Sequence, residues 1–317
     1  MKMQILIVES DGYSPRALDT YARLGPVWFE KIREEDRSRV SVLVVRLAHC
    51  LDKKYLSKFS ELKAIATPTT GLTHIDIEDC HRRNIRIFSL ADCRQAIEKV
   101  TSTSELTVGL IIALLRNIPK AHLDVVDNRR WCRDRYRSRQ LSCLTLGLVG
   151  LGRIGGHLAG YAQAFGMHVL GFDPYQPLSR FQELGVEQAS LPALLRASDI
   201  VSIHANLRED NFAMLGSEEI SCMRQNALLI NTSRGALVDE NASAKALRAG
   251  RLGGVAVDVL TDEHGDLSWN DSPLVAAARD GCNVIITPHI GGCTSDAMHI
   301  TEECLADFVV STMERLK

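Results

Sequence analysis

Apolar residues along the chain come in short runs separated by amphipathic stretches, and this alternation occurs in two series. In the first, residues 4–8 form an apolar, β-branched run, followed by Asp11-Gly12 and a helix-like stretch over 15–24. Further strand-like runs lie at 41–45, 62–66 and 86–89, with a helical stretch around 77–83 before the last. In the second series, strand-like runs at 144–149, 168–172, 200–204, 228–231, 254–257 and 284–287 alternate with helical stretches at 154–165, 191–197 and 240–249. Strands alternating with helices predict βαβ units and parallel sheets. The second series, with roughly six strands, matches a doubly wound sheet.

A strongly apolar helix is expected over 102–117, with Ser102 and Glu105 spaced as a capping box and Pro119 just past its end. Because it is apolar nearly all round, it is expected to be buried on most sides. A last helix is expected over 295–315, after Gly291-Gly292. The fold class expected is therefore α/β with two Rossmann-like doubly wound domains. The first, flavodoxin-like, takes residues 1–98 plus 293–317, and the second takes 99–292.

Composition narrows the class of protein without naming it. The 317 residues exceed what one compact core organises, and 37 Lys plus Arg against 39 Asp plus Glu leave a net charge of −2. That balance argues against a nucleic-acid or anionic-membrane binder. The local run of Arg129, Arg130, Arg133, Arg135, Arg137 and Arg139 reads as a solvated face around Asp134. Nine cysteines without a CxxC read as reduced thiols rather than a disulfide framework or zinc site, and no metal is expected. The only apolar run near the N-terminus is Ile5 to Val8, and the longest, at 106–115, is about half a membrane span. A cytoplasmic protein is expected.

Gly147-Leu-Val-Gly150-Leu-Gly152-Arg153-Ile154-Gly155 sets a G-x-G-x-x-G between a strand and a helix. Gly150 permits the tight turn, Gly152 lets backbone approach a pyrophosphate, and Gly155 lets the helix pack on the strand. The phosphates would sit at a helix N-terminus, where unpaired N–H groups favour negative charge. The next strand ends in Phe172-Asp173-Pro174, eighteen residues after Gly155. A carboxylate there accepts from the adenosine ribose hydroxyls and repels a 2′-phosphate, so NAD is expected over NADP.

Reducing a keto acid also needs a cation for the carboxylate and carbonyl, a proton donor, and a carboxylate that orients the donor. Three segments at expected strand ends offer these groups: Asn231-Thr-Ser-Arg234-Gly235, Asp258 to Glu263, and Thr287-Pro-His289-Ile-Gly-Gly292. With the glycine loop and Val201-Ser-Ile-His204, these segments resemble the D-isomer-specific 2-hydroxyacid dehydrogenase family, which includes phosphoglycerate, lactate, formate and phosphite dehydrogenases.

The resemblance implies that Arg234 holds the substrate carboxylate, that His289 is the general acid, and that Glu263 pairs with it. It places Asp258 near the nicotinamide, Thr232 and His204 along the cofactor, and Thr70, Gly71 and Leu72 at the substrate carboxylate. Arg46 resembles an arginine that reaches the substrate phosphate in phosphoglycerate dehydrogenases, but the second arginine of that pair is replaced by Ala48. Asn206 departs from a usual proline, and so does His264. No regulatory extension is expected after the last helix. The expected activity is NAD-dependent interconversion of a small 2-keto acid and its 2-hydroxy acid by a homodimer, including acids with a distal anionic group that Arg46 alone could bind. The alternatives are phosphite or formate oxidation on the same fold, or a non-catalytic NAD(H)-sensing protein resembling a corepressor.

Overall fold

The computed structural model describes residues 2–29, 32–93, 97–263 and 269–315; His264 lies outside them. The chain divides into two compact units, Met1–Val100 with Gly292–Lys317, and Thr101–Gly291.

The first unit runs β1 (Ile5–Ile7), α1 (Pro15–Ala22), β2 (Val27–Phe29), β3 (Val42–Val44), α2 (Lys53–Leu56), β4 (Ala64–Ala66), α3 (Ile77–Arg82) and β5 (Arg86–Phe88). Its strands order as β2-β1-β3-β4-β5, all parallel, which is the flavodoxin-like arrangement. Both faces of this sheet are covered. Along β3, Val42 and Val44 enter one core, while Leu43 enters the other. That is why the strands read as continuous apolar runs rather than as alternating ones. The short β2, Val-Trp-Phe, escapes detection from sequence because it is a half-exposed edge strand with no period of its own.

Within the second unit, the elements are α4 (Ser102–Leu115), α5 (Ile118–Val126), β6 (Thr145–Val149), α6 (Arg153–Ala164), β7 (His168–Phe172), α7 (Leu178–Glu183), β8 (Glu187–Gln188) and α8 (Leu191–Ala197). They continue with β9 (Ile200–Ile203), α9 (Ser217–Cys222), β10 (Ala227–Asn231), α10 (Glu240–Arg248), β11 (Leu252–Val257), α11 (Pro273–Arg279) and β12 (Val284–Ile286). The parallel sheet has seven strands in the order β12-β11-β10-β9-β6-β7-β8. The seventh is β8, a two-residue edge strand of Glu and Gln that carries no hydrophobic signal. On β10, Leu229 faces one core and Leu228 and Ile230 the other, so this sheet too is buried on both faces.

Two details of the long apolar helix differ from expectation. Thr101, not Ser102, is the N-cap, and no side-chain cap bond forms; the Thr101 hydroxyl instead donates to Glu105 at 2.5 Å. The helix also stops at Leu115, because Asn117 adopts a left-handed φ of 51°. Pro119 then occupies the first turn of α5, where its missing N–H costs nothing. Leu110, Ile111 and Leu114 of α4 are buried, and Leu106, Val108 and Leu115 are partly so.

The C-terminal helix α12 (Ser295–Arg315) belongs to the first unit. Leu305, Ala306, Val309, Val310 and Met313 form its apolar stripe and share a core with Ala17 and Tyr21 of α1. Among the described residues, no single helix is long and apolar enough to cross a membrane, and no group of acidic, His and Cys side chains is arranged to hold a metal ion. All nine cysteines are free. In the arginine-rich stretch, Arg133 and Arg137 reach Asp134, Arg135 pairs with Asp124 at 3.0 Å, and Arg139 with Asp199 at 2.8 Å.

Candidate active site

The turn from β6 into α6 is built on close approaches that only glycine permits. Gly150 has φ +97°, and a Cβ there would lie 2.7 Å from the carbonyl carbon of His204. A Cβ on Gly155 would lie 2.1 Å from the Gly150 carbonyl oxygen. Gly152 is different: it is the N-cap of α6, has no side-chain cap, and a Cβ there would meet nothing within 4 Å. Bare backbone therefore opens onto space at the first turn of a twelve-residue helix, with Arg153 as its first residue and Ile154 as its second. A dinucleotide pyrophosphate fits such a cradle, since unpaired N–H groups and the helix dipole both favour an anion.

Asp173, just past β7, accepts from Leu151 N–H at 2.8 Å and from Tyr175 N–H at 2.9 Å. Its carboxylate is thus fixed beside the glycine turn, with lone pairs left for further donors. A cavity of about 370 Å³ opens next to it, lined by Phe172, Asp173, Pro174, Gln188, Ala189 and Ser190. His204, just past β9, packs under the same turn. Its N–H donates to the Val149 carbonyl at 2.7 Å, and its Nε2 lies 2.8 Å from Ser202 Oγ. Its Nδ1 is buried without a hydrogen-bond partner, and burial pushes the imidazole pKa down to about 3, so the ring is neutral.

Arg234, Glu263 and His289 all stand beyond the carboxyl ends of β10, β11 and β12, where ligands of open α/β sheets bind. His289 Nδ1 lies 2.8 Å from Glu263 Oε1, and both side chains are about three-quarters buried. His289 itself is held at φ +54°. Arg234 is half-buried, with Nη1 donating to the Ser233 carbonyl at 2.6 Å. Burial lowers its pKa from the ordinary value, and the Glu263 carboxylate opposes that shift. Thr232 is buried, with its hydroxyl 2.9 Å from that of Thr107 on α4.

Asp258 has an additional task that its motif did not reveal. Its Oδ1 accepts from Thr287 Oγ1 at 2.5 Å and from Ile290 N–H at 2.9 Å, and its Oδ2 accepts from Gly291 N–H at 2.7 Å. Its backbone carbonyl accepts from His289 N–H at 2.9 Å. The whole loop that carries His289 is thereby tied to one buried carboxylate.

In the first unit, Thr70, Gly71 and Leu72 follow β4 in a loop braced by threonines. Thr69 Oγ1 donates to the Gly71 carbonyl at 2.8 Å and lies 2.9 Å from Thr67 Oγ1, which is 3.2 Å from His74 Nε2. Thr70 is exposed, and Gly71 and Leu72 are half-buried. Arg46, two residues past β3, does not present an open guanidinium. Its Nε and Nη2 both donate to Glu302 Oε1, at 3.0 and 2.5 Å, and its Nη1 donates to the Asp11 carbonyl at 3.0 Å.

Residues 108–291 match the family model described as D-isomer specific 2-hydroxyacid dehydrogenase, NAD binding domain. The chain belongs to this family. Among its D-2-hydroxyacid dehydrogenase relatives is a D-3-phosphoglycerate dehydrogenase of Methanocaldococcus jannaschii, 34% identical over 88% of this chain and 50% of that protein. Another is a glyoxylate reductase of Thermococcus litoralis, 32% identical over 90% of this chain and 82% of that one. The chain spans about half the length of the phosphoglycerate dehydrogenases it matches. The fold superposes on a D-lactate dehydrogenase from Aquifex aeolicus complexed with NAD and lactic acid, with a TM-score of 0.79 at 27% identity over 98% of this chain and 95% of that one.

Two bracing residues of this D-2-hydroxyacid dehydrogenase fold were not singled out from sequence. Asn231 sits at the end of β10 and ties the Arg234 turn: its Nδ2 donates to the Arg234 carbonyl at 2.8 Å, and its Oδ1 accepts from Ser233 N–H at 3.0 Å. Glu240 is buried at the start of α10 and accepts from Thr261 N–H at 2.7 Å and from Ser272 Oγ at 2.5 Å, gripping the loop before Glu263. Asn231 lay inside a quoted motif, so a signal was present. For Glu240, which heads an ordinary helix, there was none.

Proposed function

We propose that this protein is an NAD-dependent oxidoreductase that interconverts a small 2-keto acid and the D-2-hydroxy acid. The observation that carries this reading is the His289–Glu263 pair at 2.8 Å on the same sheet edge as Arg234 and the open glycine turn. Reduction of a keto acid adds a hydride to the carbonyl carbon and a proton to the carbonyl oxygen. NADH, when bound, supplies the hydride. Because Nδ1 of His289 is engaged by Glu263, Nε2 is the atom that holds the proton and hands it to the carbonyl oxygen. The Glu263 carboxylate, 2.8 Å from Nδ1, fixes the orientation of the ring and so aims Nε2. Arg234 offers a planar fork of donors that fits the substrate carboxylate and stabilises charge developing on the carbonyl oxygen.

The cofactor preferred in this reading is NAD rather than NADP, because the Asp173 carboxylate accepts from ribose hydroxyls and repels a 2′-phosphate. Thr70, Gly71 and Leu72 would contact the substrate carboxylate, and Thr232, His204, Arg153 and Ile154 would lie along the cofactor. We assign the protein to the cytoplasm and to a homodimer. The dimer is supported by the apolar side chains exposed on α5, Ile118, Leu123, Val125 and Val126, with Trp131 87% exposed just beyond. Exposed apolar side chains of this kind suit burial against a second copy, and light scattering of the purified protein should give twice the chain mass.

NADH oxidation measured across glyoxylate, pyruvate, hydroxypyruvate and 2-ketoglutarate tests the activity. His289→Ala should lower kcat by about 10³-fold while NADH binding persists. Arg234→Ala should raise KM and lower kcat together. Turnover that survives both substitutions would sink the reading.

A further inference from the structure

Glu240 is a buried carboxylate for which the reaction proposed above has no use. It is the first residue of α10, directly after the N-cap Asp239, and the positive end of that helix favours a carboxylate there. Its two oxygens hold the chain on both sides of Glu263. Oε1 accepts from Thr261 N–H at 2.7 Å, and Oε2 accepts from the hydroxyl of Ser272, the N-cap of α11, at 2.5 Å. Both donors are neutral, so what the carboxylate fixes here is the path of the chain.

The peptide group it grips has a second neighbour. A Cβ built on Gly235 would lie 2.0 Å from the carbonyl carbon of Leu260 and 2.3 Å from the nitrogen of Thr261. The backbone that follows Arg234 therefore rests directly against the Leu260–Thr261 peptide, and only glycine lets it come so close. One peptide group thus meets the Arg234 turn at Gly235 and the Glu240 carboxylate at its N–H. Glu263 follows two residues later and ends 2.8 Å from His289 Nδ1. A shift of that peptide moves the start of the segment on which Glu263 stands, and displacements of about 1 Å in a reacting group cost on the order of 10²-fold in rate.

We propose that Glu240 is a positioning residue for keto-acid reduction: by holding the Leu260–Thr261 peptide against the Arg234 turn, it sets where Glu263 meets His289. It acts through Glu263 and is itself no part of the proton transfer. All of the residues involved belong to the second unit. The inference rests on the dehydrogenase reading given above.

Steady-state kinetics on the keto acid of the panel that the wild type reduces best, with NADH affinity from fluorescence titration, test it. Glu240→Ala should lower kcat by about 30-fold while NADH affinity stays within about twofold, since the reacting groups are misplaced and the cofactor cradle is not. Glu240→Gln keeps an oxygen for Thr261 N–H and can donate to the Ser272 hydroxyl, so it should restore kcat to within about threefold of the wild type. The deciding measurement is a double-mutant cycle. With Glu263→Ala already in place, Glu240→Ala should lower kcat by no more than about threefold further, because the group it positions is gone. If the alanine variant does not fold, Glu240→Asp, which keeps the charge and shortens the reach, takes its place in the cycle with an expected loss of about tenfold. The same fold-loss with and without Glu263 overturns the proposal and leaves the dehydrogenase reading standing. So does a folded Glu240→Ala or Glu240→Asp protein with wild-type kcat, or a glutamine variant as impaired as the alanine one. A wild type that reduces no keto acid of the panel sinks the dehydrogenase reading, and the proposal falls with it.

Discussion

Each sheet has a buried carboxylate near its carboxyl edge, but the two are used differently. In the seven-stranded sheet, Asp258 accepts from Thr287, Ile290 and Gly291, all neutral donors of one loop. In the five-stranded sheet, Glu302 accepts from the Arg46 guanidinium and from Ser14 N–H, which come from two different segments. Asp258 therefore shapes a loop, while Arg234 and the His289–Glu263 pair nearby keep interactions of their own. Glu302 takes up the Arg46 guanidinium and so joins segments that are far apart in sequence. The same type of side chain, equally buried, organises a single loop at one edge and joins two distant segments at the other.

Substitutions can separate the two roles. The largest effect on stability is expected in Glu302→Ala, which strands the Arg46 guanidinium and should cost about 3 to 5 kcal/mol in urea unfolding. Adding Arg46→Met should recover much of that loss, because the pair removed together leaves no uncompensated charge. A double variant no more stable than the single one would show that Arg46 holds the fold by packing alone.

Asp258→Ala is next. It leaves the buried Gly291 N–H, the Ile290 N–H and the Thr287 hydroxyl without their acceptor, at about 1 to 3 kcal/mol for each group that stays unsatisfied and buried. Its signature should be kinetic as well as thermal. With His289 no longer indexed, kcat should fall much more than NADH affinity, whereas Glu302→Ala should change stability far more than kcat. Equal losses of kcat and stability in both variants would erase the distinction between the edges. Asn231→Ala should give a smaller version of the Asp258 effect, about tenfold in kcat/KM, since it frees the Arg234 turn at one bond to the arginine carbonyl.

The last effect concerns pH. His204 titrates at about 3 in the folded protein and near 6.5 when unfolded. Between those values the unfolded chain binds a proton that the native one does not, so stability falls as pH is lowered from 6.5 towards 3. The slope from this group is at most about 1.4 kcal/mol per pH unit. In His204→Asn the acid limb of a stability profile should be shallower by up to that amount. An unchanged limb would place the lost stability on carboxylates alone.

The sequence by itself determined the family, the two βαβ series, the glycine turn and the order of Arg234, Glu263 and His289 along the chain. These are local signals: buried parallel strands read as apolar runs, and a phosphate cradle demands glycines at fixed spacing. Edge strands such as β2 and β8, and the short helices α2, α7, α9 and α11, were not legible because their burial is partial and their length too small for a period to show.

What only the tertiary structure decided is which charged groups are spent on each other. Arg46 and Glu302 are 256 residues apart, and Glu9 meets the amides of Arg46 and Ala48 only when β1 and β3 lie side by side. In sequence Arg46 reads as a site for an anion. In the folded chain its charge is already balanced, because an arginine beside a buried glutamate has a partner it cannot exchange for a ligand without leaving a charge in the core.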